Sequence, residues 1–190
     1  MVSYFKFTIL LFISSSLSIS GQHDEERKAQ PENLQHHVYH NKLGIGLGHT
    51  HVSRGRNMDG IKWLALPSFA LIYDYHFNQR WSLGIHVDII VENFEVETNL
   101  RSDNENEIIK RNRPIAPALM ATYKFTNHSS LVFGGGFEYA PEETLSIFRV
   151  GYEWSTHLNE KWELAIPFTY DFRIDAYDSW TLSLIIARMW

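Results

Sequence analysis

Between Trp63 and Val96 the chain alternates with a period of two, and that pattern narrows what it can fold into more than any other feature. Trp63, Ala65, Phe69, Leu71, Tyr73, Tyr75 and Phe77 share one face, with Ser68, Asp74 and His76 on the other. After Asn78-Gln79-Arg80, the residues Trp81, Leu83, Ile85, Val87, Ile89 and Val91 alternate with Ser82, Gly84, His86, Asp88 and Glu92. Successive side chains of a strand lie on opposite sides of the pleat, so the stretch predicts a β-hairpin. One of its faces is bulky and apolar; the other is small, polar and charged.

The same design recurs along the chain. Leu43, Ile45 and Leu47 oppose Gly44, Gly46 and Gly48 in a first strand that runs to about Val52. A fourth strand spans Ile115 to Phe125, and a fifth sets Leu131, Phe133, Phe137 and Tyr139 against Val132, Gly134, Gly136 and Glu138. The sixth opposes Phe148, Val150, Tyr152 and Trp154 to Ile147, Arg149, Gly151 and Glu153. The seventh opposes Trp162, Leu164, Ile166, Phe168, Tyr170 and Phe172 to Glu163, Thr169, Asp171 and Arg173, and the eighth runs from Trp180 to Trp190.

Three connections are tight and begin with Asn, which tolerates turn geometry: Asn78-Gln79-Arg80, Asn127-His128-Ser129 and Asn159-Glu160-Lys161. Between them lie larger or more polar connections, including expected loops over 53–62 and 97–112. This predicts an all-β chain, an eight-stranded antiparallel up-and-down transmembrane β-barrel with both ends on the short-turn side. Pro67, Pro117 and Pro167 fall inside strands, where each removes a ladder donor, and they predict bulges or strand limits other than these.

The first residues carry Lys6, then an apolar run from Phe7 to Ile13 and the small residues Ser18-Ile19-Ser20. That order reads as a secretory signal peptide over residues 1–20, too short in its apolar part to span a bilayer. A polar leader of mixed charge follows over 21–39, and the barrel occupies 40–190. There is no Cys, so disulfides and thiol chemistry are excluded. The net charge of -5, or -6 without Lys6, argues against nucleic acid as a partner. Mean hydropathy is -0.24 although 14% of residues are aromatic, the way a transmembrane barrel escapes a hydropathy scan.

Volume decides which face points outward. The interior of an eight-stranded barrel is just wide enough for side chains to fill it. Roughly five large groups per strand, on the order of forty in all, do not fit there. This disfavours a soluble periplasmic lipocalin-like barrel, which would turn the apolar face inward around a ligand. Lipid outside the barrel satisfies the apolar face, and closure satisfies the backbone. Trp63, Trp81, Trp162, Trp180 and Trp190 lie near strand ends, where indole rings favour the membrane–water boundary, and form an expected aromatic girdle.

The signal peptide, the eight strands with alternating short turns and loops, and the ending Trp180-Thr181-Leu182-Ser183-Leu184-Ile185-Ile186-Ala187-Arg188-Met189-Trp190 resemble the small eight-stranded outer-membrane barrels of Gram-negative bacteria, the OmpA/OmpX-like superfamily. The resemblance covers roughly 40–190. It implies residence in the outer membrane, contact with outer-membrane lipid, and an assembly signal in Leu182, Leu184, Ile186 and Trp190 read by the barrel-assembly machinery. Arg188 stands where that pattern commonly has an aromatic residue. Members range from structural barrels and adhesins to lipid-modifying enzymes, and oligomeric state is left open.

The polar face gathers Asp74, His76, His86, Asp88, Glu92, Lys124, Glu138, Arg149, Glu153, Glu163, Asp171 and Arg173. Buried charges need partners, so these read first as an ion-pair network filling a narrow lumen. The functional counterpart is a proton or ion path, or an acid–base site involving His86 and Asp88. His49 and His51 share a strand face at metal-ligand spacing, with His36, His37 and His40 in the leader. No acidic residue close by completes a site, and the register turns both outward, so no metal or cofactor is expected. An acyl hydrolase or transferase would need a Ser–His–acid group, and Ser155, His157 and Glu160 are the best local set. Their place at a short turn, with Ser155 facing inward, disfavours catalysis. The run Lys110-Arg111-Asn112-Arg113 reads as a solvated loop, with lipid phosphates as a second possible contact. The reading reached is a non-enzymatic outer-membrane barrel with a structural and surface-contact role.

Overall fold

A computed structural model of the chain describes residues 39–57, 60–97, 108–174 and 176–190. The expected signal peptide over residues 1–20 and nearly all of the expected leader lie outside the described residues. Ten strands follow in order: β1 Asn41–Asn57, β2 Gly60–His76, β3 Trp81–Ile90, β4 Asn93–Glu97, β5 Ile108–Asn112, β6 Ile115–Lys124, β7 Ser129–Tyr139, β8 Thr144–His157, β9 Trp162–Arg173 and β10 Ser179–Met189. Eight of them close a barrel in the order β1-β10-β9-β8-β7-β6-β3-β2, while β4 and β5 form a separate two-stranded sheet. All pairings are antiparallel. The barrel closes by pairing β1 with β10, from Lys42 opposite Met189 to Val52 opposite Ser179. It is an all-β, up-and-down barrel with the short turns at one end.

Three details differ from the sequence reading. Much of the expected loop 53–62 is strand: β1 and β2 run on to Asn57 and from Gly60, with a register shift between Ser53 and Arg56. Its polar composition suits a strand pair that has passed beyond the apolar band. The expected loop 97–112 is bounded by a hairpin, with β4 and β5 paired from Asn93 opposite Asn112 to Glu97 opposite Ile108. Short strands with charged outer positions look like loop, because only Phe94 and Val96 carry the alternation.

The prolines do not create bulges. The β6–β7 register is the same on both sides of Pro117, and the β9–β10 register is the same on both sides of Pro167; pairing simply lapses beside each. Pro67 sits just past the end of the β2–β3 ladder. A ladder broken on one side accommodates the missing N–H without an inserted residue. At the corner between β5 and β6, Arg113 takes a left-handed φ of 47°, turning the chain from the hairpin back into the wall just before Pro114.

Candidate functional site

The outer wall is greasy. Leu47 is 64% exposed, Ile45 62% and Leu119 57%, and Phe69, Phe148 and Phe168 are exposed with them. An apolar surface on every strand far exceeds what a monomer presents to water. Acyl chains are the solvent that suits it. Trp81, Trp162 and Trp190 stand outward toward the short-turn end, and Trp63 and Trp180 toward the loop end with ring centroids 6.4 Å apart. Trp154, near the end of β8, also faces outward on the short-turn side and completes the six tryptophans.

The lumen is filled by side chains in tiers. Nearest the short turns, Lys42 on β1 reaches Glu163 at 3.1 Å, Glu153 at 3.3 Å and Asp74 at 3.6 Å. Asp74 in turn contacts His86 Nε2 at 2.9 Å. Midway, Arg149 spans the bore: Nε and Nη2 donate to the two oxygens of Asp171 at 2.6 and 2.7 Å, and Nη1 meets Asp88 at 2.6 Å. Alongside it Thr50, Ser68 and Thr181 join hydroxyl to hydroxyl at 3.0 and 2.9 Å. Small residues make room for these groups; Gly44, Gly46 and Gly48 put no side chain where Ile185 and Ser183 stand opposite.

Nearest the loops, Glu138 is the hub. Arg111 donates to its Oε1, Arg173 Nε donates to its Oε2 at 2.9 Å, and the Tyr177 hydroxyl also donates to it. Arg173 lies over the Tyr177 ring, 4.2 Å from its centroid. Over this tier sits an apolar cap of Val52, Leu66, Ile90, Phe94, Val96, Leu145 and Tyr177. The β4–β5 hairpin contributes Phe94 and Val96 to it, so the hairpin is a lid over the barrel mouth rather than a free loop. Burial pushes the Tyr177 hydroxyl up, and Glu138 adds to that against the opposing pull of Arg173, so the phenol stays protonated and donates.

The lumen residues expected from the sequence are mostly brought together, with exceptions. Asp74, His86, Asp88, Glu138, Arg149, Glu153, Asp171 and Arg173 join the contacts above. Glu92 does not: it is exposed in the short link between β3 and β4, because the strand breaks after Ile90 and alternation no longer governs its direction. Lys124 is half-buried and, among the described residues, has no carboxylate within ion-pair distance. His86 turns to Asp74 on the neighbouring strand, and Asp88 to Arg149, so the alternative His86–Asp88 acid–base pair does not form.

The basic run is split by the hairpin. Arg111 is fully buried under the lid, whereas Lys110 is exposed beside Glu95 at 3.5 Å and Asn112 bonds Glu142. A solvated or lipid-facing loop is therefore not what Arg111 belongs to. His51 stacks on Trp180 at 3.7 Å and His49 is exposed beside it; among the described residues no three His, Cys, Asp or Glu gather for a metal. Ser155 is buried in the lumen while His157 and Glu160 are exposed at the turn, and among the described residues no hydrogen bond joins them. The sequence reading missed Lys42 and Arg111. Lys42 is one step before the Gly44-Gly46-Gly48 face and shares its parity, which was the available signal.

No family model matches the chain, and no curated protein does. Among solved structures it is similar to Ail, the attachment invasion locus protein of Yersinia pestis, in complex with the heparin analogue sucrose octasulfate. The identity there is 17%, over 80% of this chain and 99% of that one, with a TM-score of 0.51. A second structure of Ail gives 14%, 80%, 99% and 0.50, and Neisserial surface protein A gives 11%, 79%, 97% and 0.50. The shared feature is the fold. With its lipid-suited wall, the chain is an eight-stranded transmembrane barrel of the outer-membrane type.

Proposed function

We propose that the protein is a small, non-enzymatic outer-membrane barrel whose lumen is plugged by its own side chains and whose loop end serves surface contacts. The observation that carries this reading is the stack of charge clusters centred on Lys42, Arg149 and Glu138, closed above by the hairpin lid. Each cation in it holds carboxylates from other strands, and separating such buried pairs costs several kcal/mol. A path for ions or substrates would have to break them.

The loop end presents the exposed pair Lys110–Glu95 and the exposed Arg113, Glu142 and Glu143, groups suited to polar contacts outside the membrane. Leu182, Leu184, Ile186 and Trp190 face outward along β10, a surface the assembly machinery could read during insertion. Planar-bilayer recording on the refolded protein tests the plug: a silent bilayer supports it, and stable conductance steps overturn it. Heat-modifiable gel migration and detergent-dependent extraction test membrane residence. The His157→Ala variant leaving lipid acylation unchanged in the host separates this reading from a lipid-modifying enzyme.

A further inference from the structure

Among the described residues, the outward positions of the barrel strands from Asn41 to Val52 and from Trp63 onward hold one Asp, Glu, Lys or Arg, and it is Arg188. It is exposed on β10, opposite Leu43 on one neighbouring strand and Trp162 on the other. Among the described residues its guanidinium makes no ion pair and lies over no ring. A cation left bare against acyl chains is costly, so the partner of this one lies outside the chain.

Depth says what that partner is. Arg188 lies four residues from Leu184 at the middle of β10, about 10 Å towards the short turns on a tilted strand, where an apolar band of about 25 Å gives way to headgroups. The exposed Trp162 and Trp190 rings belong to the same boundary. The anion found there is lipid phosphate, which the paired N–H donors of a guanidinium fit.

A second donor stands close by. Asn41 exchanges backbone hydrogen bonds with Trp190 at 3.1 and 3.0 Å, which makes it the diagonal neighbour of Arg188, about 7–8 Å away and within reach of a long side chain. The Tyr73 hydroxyl donates to Asn41 Oδ1 at 2.9 Å, so the acceptor of the amide is used and its N–H groups remain to donate. The carboxylates nearby are otherwise engaged: Glu160 shares its turn with Lys161, Lys42 holds Glu163, and the carboxylate of Trp190 stands past the last strand residue.

We propose that Arg188 and the Asn41 amide hold the phosphate of one anionic glycerophospholipid in the leaflet at the short-turn end, with Trp162 and Trp190 against its glycerol and upper acyl chains. A zwitterionic headgroup is the poorer ligand, because the wall around Arg188 offers donors and no free acceptor for an ammonium group. The site rests on membrane residence alone and uses neither the plug nor the loop end.

The test uses the refolded full chain in detergent micelles, titrated with equal amounts of phosphatidylglycerol and phosphatidylcholine, with bound lipid counted by native mass spectrometry. Expected is one phosphatidylglycerol retained in about fivefold preference, the factor that one cation near an anionic lipid supplies. Arg188→Leu abolishes the preference, Asn41→Ala reduces it, and Lys161→Gln leaves it unchanged. Leu suits an apolar wall, so the Arg188 variant keeps the fold, and Arg188→Gln gives a second route to the same readout. A native chain without preference, a preference that survives Arg188→Leu, or one lost in Lys161→Gln overturns the site alone. A chain that stays folded and soluble without detergent overturns membrane residence, and the site with it.

Discussion

Arg111, carried by the hairpin over the mouth, donates from Nε at 3.0 Å and from Nη2 at 2.5 Å to the same Oε1 of Glu138 on β7. Its third nitrogen, Nη1, donates to the carbonyl of Glu143 at 2.7 Å, so one guanidinium ties the lid to both sides of the β7–β8 connection. Glu138 also serves Arg173 and Tyr177. A single carboxylate thus serves two buried cations, Arg111 alone and Arg173 together with Asp171 at 3.9 Å. Glu138→Leu strands Arg111 and leaves Arg173 only the longer contact with Asp171, and breaking a buried pair in this way costs about 3–5 kcal/mol. Arg111→Leu costs less, because Glu138 keeps Arg173. Urea unfolding in lipid vesicles checks the order; an Arg111 variant as damaged as the Glu138 variant contradicts the hub.

Tyr177, on the connection from β9 to β10, gives this cluster a pH signature. Burial chiefly, and Glu138 secondarily, hold its hydroxyl above the usual tyrosine value of about 10. As pH rises, the unfolded chain releases this proton before the folded one does. The stabilisation is therefore whole below about pH 10 and is lost progressively above it. Tyr177→Phe removes that dependence. Unfolding midpoints between about pH 9 and 11 are expected to fall more steeply for the native chain than for the variant.

Arg149 makes a sharper case, since it holds Asp88 and Asp171 from opposite sides. Arg149→Met leaves two carboxylates buried with no guanidinium between them, at a cost of about 3–5 kcal/mol. Adding Asp88→Asn and Asp171→Asn to that variant removes the stranded charge and recovers part of the loss. The triple variant unfolding no later than the single one would show that charge compensation is not Arg149's role.

The barrel was legible in the sequence because period two is imposed by the pleat itself, and a lipid-facing wall makes every outward position large. Register followed from the same rule, which is why Asp74, Arg149 and Glu153 could be assigned to the lumen without knowing their neighbours. What alternation cannot say is which inward residue meets which, since partners such as Lys42 and Glu163 are set by strand stagger across the bore. Nor does it reach past Ile90, where the chain leaves the wall. Glu92 and Arg111 were misjudged there for one reason: their burial depends on how the hairpin folds back, a tertiary choice that short charged strands do not announce.

Close approach of backbones separates two glycines of the wall. A Cβ at Gly84 would stand 2.1 Å from the carbonyl oxygen of Tyr73 on the paired strand, whereas at Gly135 the nearest atom, the carbonyl oxygen of Ile147, is 3.2 Å away. The first contact requires backbone to move and the second a shift of a few tenths of an ångström. Gly84→Ala is expected to lower folding yield and the heat needed to unfold the barrel on a gel, with Gly135→Ala close to native.

Charge on the outer wall is tolerated by depth. Arg188 faces outward one step from the last strand residue, opposite Leu43 and Trp162 at the short-turn end, where a long side chain reaches the headgroups. Leu47 faces the same lipid opposite Phe69 and Leu184, the latter at the middle of β10. Leu47→Arg is expected to destabilise the barrel by about 2–4 kcal/mol, the range for a cation near the bilayer midplane, and Arg188→Leu to change stability by about 1 kcal/mol or less. Unfolding in vesicles of defined thickness measures both, and similar losses at the two positions would mean that the apolar band is not centred on the strands.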